Sequence, residues 1–214
     1  RSLIVSLVQT LRDATPATIV IIGPDHQNAG SSSTTTTTSD WASHGVRHRM
    51  NRNITDALIS SADVRASDAV IRSEHSVLIP MAFLAEQFPR AQFVLLALRS
   101  GFDQSVIHTL AEQLNTLLDP DDLVIASVDF SHYQTLGEAE KEDAVSLRIL
   151  ESGNIEAINN IAADSPASLA VAMRFAQLRD AGHLRIIQHA NSATILGNPS
   201  LASTTSYMTG VFHK

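Results

Sequence analysis

Residues 128–133 read Val-Asp-Phe-Ser-His-Tyr and follow directly on the apolar run Leu123-Val124-Ile125-Ala126-Ser127. A buried strand that serves only structure ends in turn formers such as Gly, Asn or Pro. This one ends in a carboxylate, a hydroxyl, an imidazole and a phenol, groups that bind metals or move protons. If the backbone turns there, Asp129 and His132 face one pocket, and Ser131 and Tyr133 can orient them by hydrogen bonds. The plainer alternative is an N-capping Asp next to a surface His. Gly23-Pro24-Asp25-His26 forms a second such group, with a sharp Gly-Pro exit from a strand and an imidazole suited to metal ligation or general-base work at its tip. Glu74-His75-Ser76 is a third. Its alternative reading is a helix start, with Ser73 as cap and Glu74 placed favourably against the helix dipole.

The remaining histidines carry less. His44 and His48 have the i, i+4 spacing of helical ligands, but Gly45 lies between them in a loop-like setting. His108 falls on an amphipathic helix, His183 follows Gly182 at a helix end and His213 lies in the tail. His189 ends a strand just before Asn191-Ser192, where it either borders the pocket or packs. The chain has no Gly-rich phosphate loop, no GxSxG elbow and no HExxH, so neither a nucleotide cofactor nor a serine-hydrolase reading has support. With no Cys, disulfides, thiolate metal sites and a Cys nucleophile are excluded, a composition that fits the reducing cytoplasm. A net charge of −7 without any basic stripe argues against a nucleic-acid partner. The apolar runs fall well short of the roughly 20 residues that cross a bilayer.

The elements that must position these groups follow from periodicity. Leu3, Ile4, Leu7, Val8 and Leu11 recur at helical spacing, and the helix should stop near Ala14-Thr15-Pro16. Thr18 to Ile22, Gln92 to Leu98 and Leu123 to Val128 are continuous apolar runs of the kind covered on both faces of a sheet. Helices are expected from Glu74 or His75 to about Gln87, with Pro80 in the first turns or at a kink, and over Asp103–Leu118, Leu136–Glu151, Ile155–Ala162 and Pro166–Ala181. Leu184–His189 and Ser203–Phe212 read as further strands. The segment SSSTTTTTSD at 31–40 suits either a flexible linker or, since Thr is β-branched, a strand inside the fold. Strands alternating with helices imply an α/β fold with a mainly parallel central sheet flanked by helices, in which ligands bind beyond the carboxyl ends of the strands. At 214 residues with 44% apolar and 17% charged side chains, one domain spans the chain. It opens inside a helical pattern without an initiator Met, so a first strand upstream is expected to be missing.

The order GPDH, EHS, VDFSHY, NSA and a closing SYMTGVF strand resembles the Memo family, whose bacterial and archaeal members are called AmmeMemoRadiSam system protein B. The resemblance implies a fold similar to class III extradiol dioxygenases and a pocket that binds iron or copper. It makes His26 a metal ligand and His132 the acid/base group with Asp129 beside it, while Glu74 and His75 line the same cavity. Tyr133, His189 and Asn191 join them as pocket-lining candidates. Three departures stand out. The family's PHAGY-like first ligand His lies upstream of this sequence, its third ligand position falls at Thr194 next to Ala193, and the Glu of its EHSxE motif is Leu78. A neutral hydroxyl is a poor ligand for iron or copper. The expected function is therefore binding of a metal ion, small molecule or peptide with vestigial or no catalysis, serving a radical SAM or AMMECR-type partner. The alternative is a non-haem iron or copper redox enzyme of dioxygenase type, and a metal-assisted hydrolase using Asp129 and His132 is a third reading.

Overall fold

A computed structural model describes residues 2–43, 46–101 and 104–214. In chain order the elements are α1 (Ser2–Thr10), β1 (Thr18–Pro24), β2 (Thr34–Thr36), β3 (Trp41–Ser43), β4 (Val46–His48), α2 (Arg52–Ser61), β5 (Val64–Ala66), α3 (Asp68–Ser73), α4 (His75–Gln87) and β6 (Gln92–Leu98). They continue with α5 (Gln104–Leu117), β7 (Leu123–Ala126), β8 (His132–Gln134), α6 (Leu136–Ser152), a 3-10 turn at Ile155–Asn160, α7 (Pro166–Leu178), β9 (His183–Asn191), α8 (Ser192–Ile195) and β10 (Thr204–His213).

The central sheet has the order β5-β2-β6-β1-β7. Strand β1 runs parallel to both β6 and β7, β2 runs parallel to β5, and only the β2–β6 pair is antiparallel. The apolar run of β1 is explained by its two faces. Val20 and Ile22 join a core with α2, α5 and α7, whereas Ile19 and Ile21 join a second core with Ile71, Val77, Met81 and Leu84 of α3 and α4. All four β1 side chains are fully buried, each stabilising the fold by roughly 1.5–3 kcal/mol.

The threonine segment is a strand and not a linker. Thr34–Thr36 are buried in the sheet, and Thr36 Oγ1 donates to the Leu95 carbonyl at 2.8 Å, so the hydroxyl is satisfied within the sheet. The expected Ile155–Ala162 helix is instead a 3-10 turn ending at Asn160. Strand β7 stops at Ala126, two residues short of Val128; Ser127 N–H still donates to the Ile22 carbonyl at 2.8 Å, and the chain then leaves the sheet. It moves to a separate antiparallel sheet of order β8-β10-β9, which the last two strands form as a hairpin. His183 starts β9 and does not end a helix. His44 lies outside the described residues, and His48 sits in the β3–β4 hairpin, buried edge-on against Phe93. Among the described residues, no helix is long and apolar enough to cross a membrane.

Candidate metal centre

Close packing at the end of β1 begins with Gly23. A Cβ there would stand 2.6 Å from Ser76 Oγ and 2.8 Å from Ser76 Cβ, so only glycine lets the start of α4 press against the strand. Ser76 Oγ then donates to the Pro24 carbonyl at 3.2 Å. The loop that follows is held from within: Asp25 accepts from the Ala29 and Gly30 N–H groups at 3.1 and 2.7 Å, and Asp25 N–H donates to the Leu98 carbonyl at the end of β6.

This packing brings Glu74 under His26. Ser73 ends α3 and is not the cap of α4; Glu74 occupies that position, with extended backbone between the two helices. Its side chain does not cap the helix. Instead both oxygens serve His26, Oε2 accepting from its backbone N–H at 2.7 Å and Oε1 from ring Nδ1 at 2.8 Å. Glu74 is only 4% exposed, so a buried carboxylate is satisfied by one residue. A carboxylate accepts, which puts the imidazole proton on Nδ1 and leaves the Nε2 lone pair directed outward. His75 stacks on His26 with ring centroids 4.5 Å apart and planes 20° apart, and its Nδ1 lies 3.9 Å from Glu74 Oε1. Among the described residues, His26, Glu74 and His75 form a group whose donor atoms lie close enough to hold a metal ion.

On the other side of His26, Nε2 lies 3.4 Å from Asp164 Oδ2. Asp164 precedes Ser165, whose hydroxyl caps α7, and Pro166 in its first turn. It is tied to the quoted stretch: Asp129 N–H donates to Asp164 Oδ1 at 3.1 Å, Asp164 N–H donates to the Asp129 carbonyl at 3.0 Å, and Phe130 bridges Ala163. Burial, and next the charge of Asp129, push the Asp164 carboxyl above its usual range, against the pull of the Asp129 N–H and of the nearby His26 and His132. Burial lowers the His26 pKa, but the Glu74 hydrogen bond, the charges of Glu74 and Asp164 and a weaker hydrogen bond to Asp164 outweigh it and raise the value above 6.5. His132 holds its own ring through Nδ1, which donates to the Phe130 carbonyl at 3.1 Å, again leaving Nε2 open.

Glu74 and His75 therefore lie on one side of His26, and Asp164, which sequence reasoning missed, lies on the other with Asp129 and His132 near it. The other candidates have separate partners. Tyr133 is 81% exposed, with its backbone at φ 62° and its ring edge-on to His132. His189 Nε2 pairs with the buried Asp143 of α6 at 2.8 Å, and the other Asp143 oxygen accepts from Ser131 Oγ at 2.7 Å. Asn191 donates to Thr204 and Ser206 hydroxyls at 3.0 Å and caps α8 through Ala193 N–H. Thr194 is exposed on α8.

The profile of the Memo-like protein family matches residues 5–211. A MEMO1 family protein of Methanopyrus kandleri is 24% identical over 196 residues, covering 87% of this chain and 69% of its own. Another from Methanobrevibacter smithii is 26% identical over 218 residues, covering 97% and 76%. In fold, the chain is similar to the crystal structure of an uncharacterized protein from Escherichia coli K12, with 13% identity and a TM-score of 0.56 over 93% of this chain and 89% of that one.

Proposed function

The chain belongs to the Memo family, and from that premise we propose that it binds a divalent transition-metal ion, iron or copper, through His26 as its main activity. The observation that carries this reading is the double grip of Glu74 on His26, at 2.7 and 2.8 Å. A carboxylate behind an imidazole fixes the tautomer and raises the basicity of the free nitrogen, the arrangement found behind metal-ligating histidines. The donor set fits such an ion, since imidazole suits iron and copper and carboxylates stand on both sides of the ring. His75 stacks nearly parallel on His26 and belongs to the same group of possible donors. When bound, the ion supplies Lewis acidity. Metal content after equilibration with Fe²⁺ or Cu²⁺ and gel filtration tests the reading. Single-site loading is expected in the wild type and none in His26→Ala; equal loading of the two would refute it.

A second reading, a redox enzyme of dioxygenase type, is favoured by one observation. His132 carries its proton on Nδ1 against the Phe130 carbonyl, so Nε2 is free to accept a proton near Asp129 and Asp164. Oxygen uptake by the iron-loaded protein with catechol-like substrates, lost in His132→Gln, would support it. Uptake no faster than with iron alone would dismiss it.

A further inference from the structure

We propose that Asp164 is a direct ligand of this metal ion, the carboxylate that the exposed hydroxyl at position 194 cannot supply. The inference rests on the metal-binding reading above and adds a second ligand from this chain.

Distance separates the two carboxylates that flank His26. Glu74 Oε1 lies 2.8 Å from Nδ1, a charge-assisted hydrogen bond. Asp164 Oδ2 lies 3.4 Å from Nε2, longer than the roughly 2.7–2.9 Å of such a bond. Two donors each about 2.0–2.2 Å from a tetrahedral ion stand about 3.3–3.5 Å apart, which is the spacing observed here. Glu74 is therefore placed to orient the imidazole, and Asp164 to share an ion with it.

The Asp164 side chain is also aimed. Its Oδ1 is fixed by Asp129 N–H at 3.1 Å, and its backbone is fixed by the return bond to the Asp129 carbonyl at 3.0 Å. Oδ2 is left facing His26. The side chain is only 14% exposed, so little water competes for that oxygen. Thr194, by contrast, stands exposed on α8 after β9.

Calorimetric titration of the full chain with Zn²⁺, a redox-silent probe, tests the assignment in Asp164→Asn, Asp164→His and His26→Ala. Asparagine keeps an oxygen for Asp129 N–H but loses the anionic ligand, so affinity should fall at least about tenfold, with the metal-free melting temperature unchanged or higher. Histidine offers a replacement ligand and should recover most of that loss. Wild-type affinity in Asp164→Asn together with lost binding in His26→Ala would overturn the role of Asp164 while leaving the His26 site standing. No recovery in a well-folded Asp164→His would assign the residue to positioning and also overturn ligation. Unchanged binding in His26→Ala would instead remove the underlying reading.

Discussion

Glu74 is a helix-capping residue by position whose side chain has been diverted to a histidine on another loop. Replacing it with Gln keeps the size but removes the charge behind the imidazole. Zn²⁺ affinity should then fall about 10–100-fold, as for other residues that orient a ligand, and a titration giving the wild-type constant would contradict this role. The pH dependence has a definite sign. The His26 pKa is raised in the folded state, so the protonated ring adds stability that is fully present below 6.5 and is lost as pH climbs through the higher folded value. Metal-free melting temperatures should decline from about pH 6 to pH 8, and Glu74→Gln should flatten that decline; parallel curves would count against the coupling. The residues at strand ends, His26, Asp129 and His132, were legible because an apolar run ending in polar chemistry breaks the ordinary pattern. Asp164 was not, since Asp164-Ser165-Pro166 reads as the start of a helix and Ser165 does cap α7. Nothing in local spacing relates it to a histidine 138 positions away, the difference between 164 and 26. Only the tertiary turn at Asp129 makes that link.

Strands β1 and β6 were readable because burial on both faces leaves an uninterrupted apolar run, helices α5 and α6 because their core-facing residues recur at helical spacing, and α7 because Ser165-Pro166 marks its start ahead of an Ala-rich apolar stretch. Helices α2 and α3 escaped, for they turn only Ile54, Thr55 and Leu58, or Val70 and Ile71, toward the core. Three-residue strands carry no periodicity, so β5 escaped, whereas the run of β-branched Thr makes β2 one of two readings. What positions the site is the contact between β1 and α4, and it depends on Gly23. In Gly23→Ala the added methyl meets Ser76 at 2.6 Å and the Ser127 carbonyl at 3.2 Å, so helix and strand must separate. A cost of about 1–3 kcal/mol is expected, with weaker metal binding because Glu74 travels with α4. Unaltered melting and affinity would show that the junction can relax freely. The hairpin sheet depends on a different contact, the buried Asp143 between Ser131 and His189. Asp143→Ala should cost about 2–4 kcal/mol by stranding both partners while leaving Zn²⁺ affinity near wild type. A large loss of affinity in the folded variant would join His189 to the metal centre after all.

Across the whole molecule, the parallel pairing of β1 with β6 and β7 sends three chain exits to one side of the sheet. The loop after β1 brings His26, the stretch after β7 brings Asp129, and through its return bonds Asp129 holds Asp164 from the segment before α7. An ion between His26 and Asp164 therefore clips segments from both halves of the sequence, and its binding energy becomes folding energy for the domain. The net charge of −7 also favours cation capture at long range. At a free Zn²⁺ concentration of about 100 times the dissociation constant, binding to the native state alone contributes about 2.7 kcal/mol. For a chain of 214 residues that corresponds to a rise in melting temperature of about 5–11 °C. Thermal unfolding followed by circular dichroism should show the rise in the wild type, its reversal by a chelator and its absence in His26→Ala. An equal rise in His26→Ala would mean that the stabilising ion sits elsewhere. No rise in the wild type would mean that the loop after β1 and the segment before α7, though adjacent, hold no ion between them.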